Sequence, residues 1–163
     1  MLRCFHIFNK GGGYLDLSKT VLWTIGHSNR SVEKFLKLLM EHNVRILVGI
    51  RSFPTSKIEH FKREKMEQWL PEHGVEYVWL GKELGGYRRG GYQAHMKTET
   101  FRDGIEKLLQ LAKKERVCIM CMEKNPKYCH RRFVSAHLER RNIEVKHILE
   151  EGQVSLMKFK EII

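Results

Sequence analysis

Apolar residues along the chain alternate between short continuous runs and runs with the period of a helix. The run TVLWTIG at residues 20–26 is typical of a short buried strand. After it, apolar residues recur at the i, i+3, i+4 and i+7 spacing of an amphipathic helix: Val32, Phe35, Leu36 and Leu39. Ser31 precedes them and is a residue type that caps helices. This part of the chain is therefore predicted to be a strand followed by a helix.

The same alternation continues toward the C-terminal part of the chain. Further apolar runs predict strands over residues 44–50, 75–80, 116–120 and 145–149. Helical spacing predicts helices over residues 62–73, 98–112 and 129–141. Strands separated by single helices form right-handed crossovers in a parallel sheet. The sequence therefore predicts an α/β fold with three layers: a mostly parallel sheet of about five strands with helices on both faces.

The domain organisation follows from where this alternation begins. Residues 1–19 precede it and contain the triplet Gly11-Gly12-Gly13, so we expect an N-terminal extension that forms an arm or a hairpin. Residues 20–163 are predicted to form a single α/β domain, because the length of 163 residues and the apolar content of 42% suit one hydrophobic core.

The composition indicates an anionic partner. Lys and Arg number 30 against 19 for Asp and Glu, which gives a net charge of +11 with histidines neutral. A charge of this sign favours nucleotides, nucleic acid or phosphorylated metabolites, although a densely charged surface of the kind found in thermophile proteins is an alternative. The oligomeric state is left open.

The cysteines and the hydropathy pattern indicate a cytoplasmic protein. Four cysteines in a chain of this length do not make a disulfide framework, so reduced thiols are expected. No run of eighteen apolar residues occurs, and the N-terminus has no sustained apolar segment, so neither a membrane span nor a secretory signal is predicted.

Polar residues follow every predicted strand at the same end. Because ligands of open parallel sheets bind beyond the carboxyl ends of the strands, we expect these residues to meet in one crevice. The residues expected to meet there are His27, Ser28, Arg51, Gly85, Gly86, Cys121, Glu123, Cys129, His130 and Arg131.

Among them, the predicted catalytic group comprises His27, Cys121 and Glu123. Glu123 would act as a general acid or base held by an arginine, and its alternative is a simple ion pair. Cys121 would be a nucleophile whose pKa is lowered by Arg131 and a helix N-terminus, although buried thiols are more often inert. His27 would orient the substrate, and Cys118 is predicted to be core.

The remaining residues of the crevice are predicted to bind substrate. Arg51 and Arg131 have guanidiniums that can grip a phosphate, and Cys129 and His130 stand where a helix is predicted to begin, which favours anions. Ser28, Gly85 and Gly86 complete this group.

The segment GGYRRGGY at residues 85–92 is predicted to contact nucleic acid through Tyr87, Arg88 and Arg89. Tyrosines stack on bases and arginines neutralise phosphates. The alternative is a flexible connection, since glycine-rich loops commonly serve as nothing more. The segment has neither the dinucleotide-binding glycine pattern nor a Walker sequence, so no nucleotide cofactor is predicted.

A metal site could be formed by Cys121, Cys129 and His130, with His27 as a fourth ligand. Their spacing lacks the Cys-x2-4-Cys knuckle of structural zinc sites, and an adjacent Cys-His pair on a helix would not aim both side chains at one ion. The sequence therefore predicts no metal and no cofactor.

Several of these stretches resemble the domain-of-unknown-function 488 family: TIGHSN, VGIRSFP, LGG, and CMEKNPKYCHRR followed by VKHI. The resemblance covers about residues 20–150 and implies an α/β domain with a shared site, but no settled activity. The family pattern has an Asp two residues before the arginine of the second strand, where this chain has Gly49. The resemblance therefore implies that a carboxylate of the site is missing here.

Three functions fit the sequence. The first is an enzyme acting on a nucleotide or nucleic-acid substrate in the crevice at the carboxyl ends of the strands. The second is a nucleic-acid-binding module without chemistry. The third is a thiol-based redox or metal sensor that uses Cys121 and Cys129.

Overall fold

The computed structural model describes residues 20–163 together with two short strands near the N-terminus, β1 (His6–Phe8) and β2 (Tyr14–Asp16). These two strands pair in antiparallel fashion, with His6 opposite Asp16. The other residues of the expected N-terminal extension, including the glycine triplet, lie outside the described residues.

A six-stranded sheet forms the middle layer of the domain. Its strands are β3 (Val21–Gly26), β4 (Ile46–Gly49), β5 (Glu76–Trp79), β6 (Val117–Cys121), β7 (Glu144–Glu150) and β8 (Gln153–Ser155). The spatial order is β5-β4-β6-β3-β7-β8, and all pairs are parallel except β7 with β8. The predicted mostly parallel sheet is confirmed. The pattern missed β8, whose three residues are too few to show a period.

Four helices of ten or more residues pack on this sheet: α1 (Val32–Glu41), α2 (Arg63–Glu72), α5 (Glu99–Lys114) and α6 (Arg131–Arg140). Two one-turn helices, α3 (Gly81–Leu84) and α4 (Tyr92–His95), flank the segment predicted as a glycine-rich loop. The Ser31 hydroxyl accepts from the backbone N–H of Lys34 at 3.2 Å and so caps α1, as expected. Helix α6 begins two residues later than predicted, so Cys129 and His130 precede it.

Alternate residues of β6 point to two separate hydrophobic cores. Ile119 and Cys121 pack on the face covered by α5 and α6, whereas Cys118 and Met120 pack on the face covered by α1 and α2. A sheet buried on both faces requires nearly continuous apolar strands, which is the pattern of the sequence. The three-layer α/β fold is thereby confirmed, and Cys118 is fully buried in the core as expected.

None of the helices within residues 20–163 has the length and apolar character needed to cross a bilayer.

Candidate functional site

The carboxyl ends of β3, β4 and β6 lie side by side, so the loops that follow them meet at one edge of the sheet. The backbone N–H of His27 donates to the Cys121 carbonyl at 2.8 Å, which joins the loop after β3 to the end of β6. Arg51 follows β4, Glu123 follows β6, and the Arg131 side chain contacts the Glu123 carbonyl. The expectation that these residues share one edge of the sheet is therefore confirmed.

Two thiols and an imidazole converge on the α5/α6 side of this edge. The Nδ1 atom of His130 lies 3.7 Å from the Cys121 sulfur and 3.8 Å from the Cys129 sulfur. All three atoms lie within 4.8 Å of one another. Cys121 and Cys129 are buried, and His130 is half-buried. We call Cys121, Cys129 and His130 the thiol–imidazole cluster.

The start of α6 at Arg131 makes this convergence possible. Cys129 has an extended backbone (φ −127°, ψ 150°), and His130 turns into the helical region only at its own position (φ −61°, ψ −13°). The two neighbouring side chains can therefore face the same point. A helix does not hold Cys129 and His130 apart as predicted, because both residues precede α6.

The tautomer of His130 is set by a backbone carbonyl. Its Nε2 lies 2.8 Å from the Ile50 carbonyl oxygen, which can only accept, so the proton sits on Nε2. The lone pair of Nδ1 therefore faces the two sulfurs. A Cβ atom at Gly86 would lie 2.5 Å from Nδ1, so only glycine permits this approach. Gly85, which is in the same loop as Gly86, packs closely on Ser52 of the loop after β4.

The two thiols have opposite pKa shifts. A hydrogen bond to Cys129, together with burial, raises the pKa of Cys121. The hydrogen bond from Cys121, with support from the charge of Arg131, lowers the pKa of Cys129. The backbone N–H of Arg131 also points at the Cys129 sulfur, at 3.5 Å. The expected lowering of the Cys121 pKa is therefore wrong, and Cys129 carries the more acidic thiol.

Arg131 is fully buried and holds the loop after β6. Its Nη1 donates to the Thr24 hydroxyl at 3.0 Å, and its Nη2 donates to the carbonyls of Glu123 and Lys124. Its Nη donors are thus directed at neutral oxygens of the fold. A phosphate-gripping role for Arg131 does not fit this geometry.

Arg51 has the same kind of structural role. Its side chain is 6% exposed, and its guanidinium donates to the carbonyls of Thr55 and Phe61 at 3.3 and 2.7 Å. It also donates to His27 Nε2 at 3.2 Å. The predicted anion contact is replaced by carbonyls of the segment between β4 and α2, which need hydrogen-bond donors where they are buried.

The sequence prediction missed Arg30, whose side chain joins the ends of two strands. The guanidinium of Arg30 donates to the carbonyls of Gly26 and Leu149, at the ends of β3 and β7. Only its place four residues after a strand end could have indicated this contact.

His27 is buried and neutral. Desolvation lowers its pKa to about 4, although its Nδ1–H donates to the Ser28 carbonyl at 2.8 Å. Its ring stacks on Phe61, which packs in the core of the α1/α2 side. His27 therefore lies across the sheet edge from the thiol–imidazole cluster.

A surface cleft of about 780 Å³ opens on this second side. It is lined by His27, Ser28, Asn29, Thr55, Ser56, Lys57, Ile58, Met122 and Glu123. The Glu123 side chain is exposed, and Arg131 contacts its backbone carbonyl instead of its carboxylate. The prediction of a carboxylate oriented by arginine is therefore wrong, and the predicted catalytic group is divided between two places.

An exposed aromatic pair stands beside the thiol–imidazole cluster. Phe53 and Tyr87 are 66% and 77% exposed, with ring centroids 5.7 Å apart. The Tyr87 N–H donates to the Ser52 hydroxyl at 2.9 Å, which joins the two loops. His130 contacts both loops, at Ile50 and at Gly86. Phe53 was not among the predicted site residues, because an isolated Phe in a loop carries no pattern.

The two predicted nucleic-acid arginines differ in their surroundings. Arg89 is exposed. Arg88 is half-buried, and its guanidinium donates to the carbonyls of Gly85 and Lys82 at 2.9 and 2.6 Å. The predicted phosphate role of Arg88 therefore gives way to a structural one, which shapes the loop that carries Tyr87.

A phenol fills the space that the family carboxylate would need. A Cβ atom at Gly49 would lie 2.2 Å from the Tyr77 hydroxyl oxygen. Burial raises the pKa of Tyr77, and the charge of the neighbouring Arg51 opposes that increase. The Tyr77 side chain of β5 therefore occupies the space beside Gly49 on β4.

The fold and the site define a class: a basic three-layer α/β domain with a thiol–imidazole cluster at the carboxyl edge of its parallel sheet. The sequence model of the family described as "Domain of unknown function DUF488" matches residues 31–138. The chain belongs to this family. No curated protein and no solved structure matches the chain.

Proposed function

We propose that the protein is an enzyme that acts on a nucleotide, free or within nucleic acid, with its reaction centre at Cys129 and His130. The observation that carries the proposal is the convergence of Nδ1 of His130 with the Cys121 and Cys129 sulfurs beside an exposed aromatic pair. Sulfur and imidazole nitrogen are the nucleophiles, bases and ligands of many enzymes. A module that only binds nucleic acid needs an exposed basic face but no such cluster.

The aromatic pair supports a substrate that contains a base. Phe53 and Tyr87 present large ring surfaces to solvent next to the cluster, and such rings stack on nucleobases. The exposed Arg89 stands two residues after Tyr87, and the net charge of +11 attracts phosphates from a distance. The substrate-binding role passes from the buried Arg51 and Arg131 to these exposed residues.

The surroundings of His130 support a chemical role for the cluster. A carbonyl fixes its tautomer, and Gly86 and Tyr92 lie against its ring. A side chain oriented in this way presents one nitrogen in a constant direction, as a catalytic group must. Its partial exposure leaves an approach for a substrate that is stacked on Tyr87.

Binding is tested with mononucleotides and short single-stranded oligonucleotides at two salt concentrations. Each stacked base contributes roughly 1–3 kcal/mol, so Phe53→Ala or Tyr87→Ala should weaken binding roughly 5- to 150-fold. Leu156→Ala is the matched control, because Leu156 is 57% exposed beyond β8, away from the cluster. Absence of binding to every nucleotide at low salt would refute the substrate class.

Catalysis is tested by product analysis on the nucleotides that bind. Cys129→Ser and His130→Asn should abolish turnover and leave the Kd within a few-fold of the native value. Cys118→Ser is the control, because Cys118 lies in the same strand as Cys121 but in the opposite core. Turnover that survives in both site variants would refute the reaction centre. Nucleotide binding without turnover by the native protein would leave a binding module instead of an enzyme.

A further inference from the structure

The thiol–imidazole cluster has the dimensions of a metal site. Zinc binds sulfur at about 2.3 Å and imidazole nitrogen at about 2.0–2.1 Å in a tetrahedral arrangement. These lengths place a ligand sulfur and a ligand nitrogen about 3.6 Å from each other around the same ion. The two distances from His130 Nδ1, 3.7 Å to Cys121 and 3.8 Å to Cys129, agree with this value. The three atoms can therefore share one ion with little movement.

The contacts behind the three ligand atoms are also those of a metal site. A histidine that binds a metal through one nitrogen commonly donates its other N–H to a carbonyl or carboxylate. His130 does this through Nε2 and the Ile50 carbonyl at 2.8 Å, which leaves Nδ1 free as a ligand. The Arg131 N–H, at 3.5 Å, supports the Cys129 sulfur in the same way.

The donor set selects the class of metal. Two sulfurs and one imidazole suit zinc and exclude a preference for magnesium or calcium, which take oxygen ligands. Two thiolates and a divalent ion form a neutral group, so the ion suits a buried position. The cluster has three protein ligands among residues 20–163, and three protein ligands with one open position are typical of catalytic zinc.

We infer that Cys121, Cys129 and His130 bind one zinc ion, with the fourth position left to water or substrate. The sequence predicted no metal on the premise that Cys129 and His130 lie on a helix, and the start of α6 at Arg131 removes that premise. The inference deepens the proposed function by naming the cofactor of the same reaction centre. Its test requires no substrate.

The test begins with the full chain, freed of metal by a chelator under reducing conditions and titrated with Co²⁺ as a coloured substitute for zinc. Tetrahedral thiolate ligation should produce intense visible bands and a sulfur-to-cobalt charge-transfer band, saturating at one ion per chain. Zinc should then displace the cobalt and bleach these bands. The signature is read on the native sequence, so it does not depend on whether a variant folds.

Variants then assign the ligands. Cys129→Ser and His130→Asn should reduce the bound metal from one ion per chain to none in equilibrium dialysis, while Cys118→Ser keeps one. Circular dichroism of each variant checks that the domain is folded. Absence of tetrahedral bands in the native protein, or equal metal loss in Cys118→Ser, would overturn the inference.

The outcomes separate this inference from the proposed function. A zinc-loaded protein that binds no nucleotide would support the metal site and refute the proposed function. Undiminished nucleotide turnover by the chelator-treated, metal-free protein would support the proposed function and refute zinc as its cofactor.

Discussion

A buried histidine away from the cluster should make the stability of the domain depend on pH. His147 on β7 is fully buried. Its Nδ1 accepts from the Thr24 hydroxyl at 2.7 Å, and its Nε2–H donates to the Met157 carbonyl at 3.3 Å. The Thr24 oxygen in turn accepts from Arg131 at 3.0 Å. Both ring nitrogens of His147 are therefore engaged in the neutral form, and a second proton on Nδ1 would break the contact from the Thr24 hydroxyl.

The magnitude follows from the shift of the His147 pKa. Burial, reinforced by the charge of Arg131, lowers this pKa from 6.5 to about 4. At about 1.4 kcal/mol per pKa unit, neutral burial of His147 contributes up to about 3 kcal/mol to the free energy of unfolding. The unfolded chain takes up this proton near pH 6.5, before the folded one does. The contribution is therefore complete above pH 6.5 and is lost as the pH falls toward 4.

The assay compares His147→Gln with the native protein in urea denaturation at several pH values between 7 and 4, followed by tryptophan fluorescence. The glutamine does not titrate, so the stability deficit of the variant should shrink by about 3 kcal/mol between pH 7 and pH 4. His73→Gln is the matched control, because His73 is exposed at the end of α2. His27, whose pKa is also lowered to about 4, contributes equally to the native protein and both variants and cancels.

An identical pH dependence in the native protein and His147→Gln would refute this reasoning. It would mean that the folded state accommodates the protonated imidazole, by local opening around Met157 or by movement of Arg131.

Three further predictions concern the end of β4 and the loop that follows α3. Gly49→Asp should destabilise the domain by about 1–3 kcal/mol, because its Cβ would lie 2.2 Å from the Tyr77 hydroxyl. In thermal unfolding, adding Tyr77→Ala should relieve part of that loss. An equal loss of stability with and without Tyr77 would contradict the clash. Arg88→Ala should lower the free energy of unfolding by about 1.5–3 kcal/mol, because it loses contacts to carbonyls such as that of Gly85. Arg89→Ala should leave stability unchanged and reduce the slope of log oligonucleotide affinity against log salt concentration by about 1. The reverse pattern in denaturation and salt titration would contradict these two assignments.

The architecture was predictable because the information that specifies it is local. The strands β3, β4, β5, β6 and β7 and the four long helices fall within about two residues of their predicted limits, since each is encoded by the period of its own apolar residues. Parallel strands place their carboxyl ends at one edge of the sheet, which is why the sequence alone assigns His27, Arg51 and Cys121 to the same edge.

The roles of the arginines were not predictable, because they depend on partners far away in the chain. Arg131 donates a hydrogen bond to Thr24, which is 107 positions away in the chain. Arg51 donates to the carbonyl of Phe61 in an irregular segment. An amino-acid sequence does not show whether the donors of an arginine bind a ligand or backbone carbonyls of the fold. Only the packed loops decide between the two.

The sequence by itself therefore determined the layers of the fold, the order of its elements and the edge of the sheet where polar residues gather. The tertiary structure decided which of those residues meet. Because α6 begins two residues later than predicted, Cys129 and His130 face Cys121. The edge of the sheet separates all three residues from Glu123. The physical reason is that periodicity is set by neighbours in the chain, whereas the direction of a side chain at a helix terminus is set by backbone angles and long-range hydrogen bonds.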